Sequence, residues 1–493
     1  MWSDFALIGR AHAVVARWAV LALILAACAL GKPAPEPGAA GPLRVHPGNP
    51  RYFTDDGGKA VYLTGSHTWD NLRPAPLFDF PDYLEFLRRM NHNFVRLWAW
   101  EHQDGMAPYA RTGPGSALDG GPKYDLTRLD EAYVGRLRAR VAAARDRGIF
   151  VAVMLFQGWS VESKGLDRDP WRHHPMHREN NVNGIDGDAD GDGQGVEVHT
   201  LALRAVTAVQ EAYVLKVVET LNDLPNVLFE IGNELHAGPA GTAWQEHIVA
   251  VIRRHEVARP WQHPVLMSYP WPPAEDNTKL FRGPAEAVSP GWGRLWRSPG
   301  DDYVSDPPAA DGGKVVIVDT DHFGWEPFLR TATAQRAWVW KSLTRGLNPI
   351  FMDPYRQPIP DRNRPDPSGL DPRWDPIRRS MGYTRSYALR LNLAAMVPRQ
   401  DLCSTAHCLA NPAPHGGQYL VYLPAGGRVT VDASVSPGPF LVEWFSPATG
   451  EVVLAGPVEG GQVLSLTAPF PGEAVLYLDG AGPSRAPLKG EQR

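Results

Sequence analysis

A chain of 493 residues exceeds one small domain and suits a large domain with a smaller companion. Its composition, 43% apolar and 10% aromatic with 17 Trp, is that of a globular protein with a sizeable core, and the Trp surplus suits stacking against sugar rings. The formal net charge of -5 leaves no basic footprint, so nucleic acid is excluded as an expected partner.

At the N-terminus, Arg10 and Arg17 precede an apolar run, residues 18–27, that is too short to span a bilayer and has the size of a signal-peptide core. The run ends in Leu25-Ala26-Ala27-Cys28, which resembles a bacterial lipobox. The resemblance implies removal of residues 1–27 and lipidation of Cys28, anchoring the mature chain to a membrane. Ordinary signal-peptidase cleavage nearby is the alternative. Ala29 stands where an Asp would favour inner-membrane retention, so the analogy points to the outer membrane or cell surface. A Pro/Gly/Ala tether without core-forming residues follows, completing the segment 28–42.

From residue 43 to about residue 400, short apolar runs alternate with longer amphipathic segments, the pattern of βα units around a parallel sheet. A hairpin turning on Gly57-Gly58 comes first. Residues 60–64 are the expected first strand, leading to His67 and Trp69, and the helix after it begins near Phe80-Pro81 with Pro in its first turn. The second strand, 94–99, contains Arg96, whose buried guanidinium needs a partner, and Trp98. Apolar residues recur at helical spacing from Leu129 to Ala144, with Gly148 closing that helix. The third strand, 149–156, delivers Gln157 and Trp159 to its rim.

A long insertion follows, and loops of that length in a compact domain are usually functional. Trp159, Trp171, His173, His174 and His177 are expected over the sheet's mouth. Within the insertion, DGDADGDGQGVE at residues 186–197 fits the twelve-residue calcium-loop template. Asp186, Asp188 and Asp190 occupy positions one, three and five, Asp192 offers its main-chain carbonyl, and Glu197 stands at position twelve. A single structural Ca2+ site is one expectation, and a flexible acidic loop the other. Gly193 departs from the template, which carries an apolar residue there.

The fourth strand, 227–231 within NVLFEIGNEL, runs into Asn233-Glu234, a polar pair at the rim of an apolar core. This stretch resembles the fourth strand of clan A glycoside hydrolases, (β/α)8 barrels whose chemistry sits at the carboxyl ends of the strands. The resemblance implies that Glu234 is the acid/base, that Asn233 binds the hydroxyl beside the anomeric carbon, and that Arg96 holds the nucleophile ionised. Strand five is expected at 264–268 and strand six at 280–290. Strand seven, 315–318, ends in Asp319-Thr320-Asp321, where the family carries Glu. Two apart, these Asp residues share a face, and either can serve as nucleophile, Asp321 being preferred for lying further past the apolar run. Strand eight, 348–352, brings Tyr355 to the rim, and a helix at 377–396 closes the domain. His67, Trp69, Trp98, Trp159 and Tyr355 are the candidate subsite residues.

Between residues 401 and 482 the periodicity changes to short strands separated by Gly/Pro turns, the pattern of an antiparallel β-sandwich. YLVYLPAGG, WFSPATGE and the last strand VLYL resemble the C-terminal collagen-binding-type domain of some bacterial cellulase-like proteins. A fold does not establish a ligand, and packing against the barrel is the expected role. Cys403 and Cys408 can close a small disulfide in an exported chain or remain thiols. Residues 483–493 are expected as a tail.

The whole implies an α/β protein: a (β/α)8 TIM barrel followed by a small β-sandwich, acting as a monomeric, surface-anchored glycoside hydrolase of retaining type on a carbohydrate substrate. A non-catalytic glycan-binding lipoprotein on a degenerate barrel is the competing expectation, motivated by the Asp at strand seven. Protease or esterase chemistry lacks its HExxH or GxSxG motif.

Overall fold

The computed structural model describes residues 41–55, 57–100, 107–236, 238–270, 277–291, 302–303, 305–320, 329–355 and 370–480. Cys28, the tether up to residue 40, Asp321 and the residues after 480 lie outside them. A three-stranded antiparallel sheet comes first, from β1 (Arg44–Val45), β2 (Phe53–Thr54) and β3 (Ala60–Val61). Eight parallel strands then form one sheet in the spatial order β4 (Gly65–His67), β13 (Asn348–Met352), β12 (Val315–Asp319), β11 (Ala287–Ser289), β10 (Val265–Ser268), β9 (Val227–Asn233), β8 (Phe150–Gln157) and β5 (Phe94–Trp98). Helices α1 (Phe80–Arg89), α2 (Glu131–Arg145), α3 (Arg204–Leu221), α4 (Pro239–Glu256), α6 (Ala332–Thr344) and α7 (Asp375–Ala388) surround it, with a short α5 (Thr278–Arg282) before β11. This is a TIM barrel followed by a β-rich domain.

The strands read as continuous apolar runs because both faces are covered. Outward residues such as Val95, Val153, Phe229, Ile231, Val288 and Val316 pack with the helices. Inward residues Phe94, Ala152, Leu228, Leu266, Ala287, Ile317 and Ile350 form one layer, plugged from below by Leu43, Phe53 and Leu63. Alternation by two then dictates the layer above it. There stand Arg96, Met154, Glu230, Ser268, Ser289, Asp319, Met352 and His67, all buried.

The seam between β4 and β5 closes through side chains as well as backbone. Asn93 N–H donates to the Thr64 carbonyl (3.1 Å), and Asn71 accepts from Trp98 N–H (3.0 Å) while donating to the Arg96 carbonyl (2.7 Å). Gly65 permits this approach, since a Cβ there would meet the Phe94 carbonyl oxygen at 2.2 Å.

Two strand boundaries differ from the sequence expectation, and the closing helix, expected to reach residue 396, ends at Ala388. The run expected as strand one divides: Ala60–Val61 pairs back on β2, and the barrel strand starts at Gly65. Leu63 N–H and Thr64 N–H are met by the side chains of Asn348 and Asn93 (3.0 Å each), which takes this stretch out of a ladder. Likewise, residues 280–290 are no single strand, because α5 runs to Arg282, Gly283-Pro284 follow, and only Ala287–Ser289 pairs. A hairpin of β6 (Tyr109–Ser116) and β7 (Pro122–Leu129) was not foreseen.

The C-terminal part forms a six-stranded antiparallel sheet, ordered β14 (Val397–Pro398), β15 (Cys408–Asn411), β16 (Gln418–Leu423), β21 (Ala474–Asp479), β18 (Pro439–Phe445) and β19 (Val452–Glu459). A second layer pairs β17 (Arg428–Asp432) with β20 (Val463–Thr467). One face of the large sheet, with Leu420, Tyr422, Phe445, Val475 and Tyr477, packs on Trp340, Leu343 and Tyr387 of the barrel helices. Glu443 fastens the contact, accepting from Tyr387 Oη (2.7 Å) and both terminal nitrogens of Arg390 (2.7 and 2.9 Å). Cys403 and Cys408 are buried thiols here, the second of the two states considered for them. A hydrogen bond with Cys408 pulls the Cys403 thiol down to about 6.

Candidate active site

The polar layer above the apolar plug is an ion-pair cluster built on Arg96. Its Nε and Nη2 donate to the two oxygens of Glu230 (2.7 and 2.8 Å), and its Nη1 donates to Asp319 Oδ2 (2.5 Å). Ser268 Oγ donates to Glu230 Oε1 (2.5 Å), and His67 Nε2 meets Asp319 Oδ1 at 2.9 Å. Arg96, Glu230 and Asp319 side chains are fully shielded from solvent. Two acidic side chains thus share one guanidinium, from the middle of β9 and the end of β12. The partner that Arg96 demanded is mainly Glu230, which the sequence reading missed. Its signal was its place two residues after inward-facing Leu228.

Glu234 lies just past β9. Its backbone is left-handed (φ 45°), unusual for a non-glycine residue, so neighbours must hold the turn. Gly158 makes room, since a Cβ there would meet the Glu234 carbonyl oxygen at 1.9 Å. Trp159 Nε1 donates to Glu234 Oε2, and Lys164 Nζ donates to the Glu234 carbonyl oxygen (2.8 Å). Burial pushes the Glu234 carboxyl up to about 7. Lys164, the Trp159 hydrogen bond and Arg168 pull it down, while the charge of Asp319 pushes it up. A carboxyl pushed up to about 7 thus feels the charge of Asp319, which Arg96 and His67 hold: the first has the environment of a proton donor.

Around them, His67 Nδ1, Trp98 Nε1 and Asn233 Oδ1 are buried without a hydrogen-bond partner among the described residues. Unpaired buried polar atoms at strand ends are costly unless a ligand meets them. Trp69 packs with Trp98, Met154 and Met352 beside this group. Trp159 positions Glu234, and one face of its ring is covered by the Arg168 guanidinium, 4.2 Å from the centroid. Tyr355, expected as a subsite residue, is instead turned into an aromatic cluster with Phe78, Tyr83 and Phe86, its hydroxyl donating to Asp82 (2.7 Å). Its left-handed backbone (φ 44°) directs it there.

In the insertion, Trp171 is buried and stacks on His174 (4.8 Å), which in turn stacks on Trp100 (5.3 Å). These groups form the floor of the acidic loop instead of an open platform. Burial drives His174 down to about 3, so it is a neutral packing group. The loop brings Asp188, Asp190 and Glu197 together, with one oxygen of each within 4.8 Å of the others; Asp186 and Asp192 are not part of that cluster. Hard oxygen donors at this spacing fit a calcium ion.

In sequence, the chain matches no family model and no curated protein. In structure it is similar to a protein described as a glycoside hydrolase, with TM-score 0.58 and 15% identity over 90% of this chain and 98% of that one. It is also similar to a glycoside hydrolase family 5 protein from Bacteroides vulgatus, with TM-score 0.60 and 14% identity over 90% of this chain and 94% of the other. At these identities the likeness is one of fold.

Proposed function

We propose that this chain is a glycoside hydrolase in which Glu234 protonates the leaving oxygen and later activates water, while Asp319, shielded from solvent in the free protein and so uncovered only as substrate enters, attacks the anomeric carbon. The observation that carries the reading is the pair of unlike carboxyls: Glu234 pushed up to about 7 by burial, and Asp319 clamped by Arg96 and His67 within electrostatic reach of it. A retaining mechanism needs the two carboxyl groups about 5 to 5.5 Å apart, and about 6.5 to 9.5 Å would give inversion; retention is carried here by the resemblance of the strand-four stretch to clan A glycoside hydrolases. Asn233, His67 and Trp98 offer the unpaired polar atoms that sugar hydroxyls would meet. The fold shared with glycoside hydrolases is consistent with this chemistry. Asp321 competes for the nucleophile's role and lies outside the described residues.

The test is hydrolysis across a panel of oligo- and polysaccharides, with product configuration followed by NMR. Turnover with retained configuration is expected, and binding without turnover by the wild-type protein would favour the glycan-binding alternative. Its kcat/KM should fall as pH rises through about 7, because Glu234 must carry a proton in the first step.

Two further readings complete the proposal. Ca2+ at Asp188, Asp190 and Glu197 would neutralise a self-repelling run of acids and fasten the loop over Trp171. Calcium at about 100 times its dissociation constant should then add ~2.7 kcal/mol of stability, removed by a chelator. Asp188→Asn should abolish the thermal shift; an identical shift in the variant places the ion elsewhere. Lipidation at Cys28 would hold the protein at a bacterial surface. Loss of detergent-phase partitioning in Cys28→Ala is the expected result, and unchanged partitioning removes the anchor from the account.

A further inference from the structure

Ten residues of the insertion, 159–168, grip the Glu234 turn from two sides. Lys164 is itself left-handed (φ 55°), and its side chain is 1% exposed. Nζ sits between Glu162 Oε1 (2.6 Å) and the Glu234 carbonyl oxygen (2.8 Å). His236, two residues beyond Glu234, flanks the same Glu162 oxygen at 3.6 Å. Arg168 covers Trp159, whose indole N–H holds the Glu234 carboxyl, and its Nη2 donates to the Trp159 carbonyl (3.3 Å). A buried ammonium spent on a main-chain carbonyl is an expensive way to secure a loop. Its position, one residue's backbone away from the reacting carboxyl, gives it a second effect.

Resting on the reading of Glu234 as acid/base, we propose that Lys164, clamped by Glu162, is a positioning residue that fixes the left-handed turn of Glu234 and sets the charge environment of its carboxyl. The groups facing that carboxyl are Lys164, Arg168 and the Trp159 N–H, which favour its ionised form, and Asp319, which opposes it. Burial favours the neutral acid, and Lys164 is the foremost counterweight. Burial lowers the Lys164 ammonium, its contacts with Glu162 and the charge of Glu234 oppose this, and Glu162 partly neutralises the field that the ammonium casts on Glu234. The insertion thereby tunes the pH range of the acid without touching substrate.

The full-length protein, labelled with 13C at Glu side-chain carboxyls and assigned with Glu234→Gln, gives the Glu234 midpoint without any substrate. Lys164→Met should raise that midpoint by roughly one pH unit, as loss of a nearby opposite charge does. The alkaline limb of kcat/KM should move up equally. Lys164→Arg should restore both, and Glu162→Gln should move both downward. Should Lys164→Met fail to fold, the Arg and Glu162→Gln variants still carry the sign test. Activity lost at every pH with neither midpoint moved, or shifts of one sign in Lys164→Met and Glu162→Gln, would overturn the proposal. A moved NMR midpoint in a protein with no turnover on any glycan would leave it standing while removing the hydrolase reading.

Discussion

Glu234→Gln should lower kcat on any glycoside the protein cleaves by about 10²–10⁴-fold, the usual contribution of a positioned proton donor. Gln keeps the size of the side chain and an acceptor for Trp159 Nε1, so KM should change little. The same substitution should make the protein more stable at alkaline pH. The folded Glu234 carboxyl titrates near 7, above its ordinary 4.5. The folded state therefore binds the proton more tightly than the unfolded one, and stability is lost as pH rises through that window. At pH 8 removing the group should return on the order of 3 kcal/mol. An inactive, stabilised variant separates a catalytic role from a folding defect. Unchanged kcat would remove Glu234 from the mechanism.

Arg96→Met is expected to cost about 3–5 kcal/mol of stability, measured by urea denaturation, because it strands buried carboxylates without their cation. Glu230 loses both of its guanidinium bonds and Asp319 loses one, and neither side chain reaches solvent. Met replaces the aliphatic stem, so the loss is one of charge pairing. Arg96→Met/Glu230→Gln should recover part of the deficit, and the two single losses should not add. A cost below about 1 kcal/mol would mean that solvent or rearrangement satisfies these groups, contrary to a sealed cluster.

The contrast between these two residues shows what the sequence carried. Arg96 stood out because a charge inside FVRLW must be paired, and the pairing was found with Glu230 and Asp319. Glu230 stayed hidden inside VLFEIGN although the period of two that places Leu228 in the barrel also places Glu230 there. The parallel barrel was legible because buried strands repeat as apolar runs, and the sandwich because short strands alternate with turns. Strand one was misplaced by a hairpin whose end is decided by Asn93 and Asn348, distant in sequence. Tyr355 read as a rim residue from its place after β13, but a left-handed turn sends it into the packing around Phe86. Lys164 gave no sign, since its partners Glu162 and Glu234 meet it only through the path of an irregular loop.

Covalent trapping tests the central claim most directly. A 2-deoxy-2-fluoro glycoside of the sugar found by the hydrolysis panel should inactivate the protein and leave one glycosyl mass on Asp319, located by peptide mass spectrometry. A label on Asp321, or turnover to the inverted anomer with neither Asp labelled, would contradict the pairing of Glu234 with Asp319.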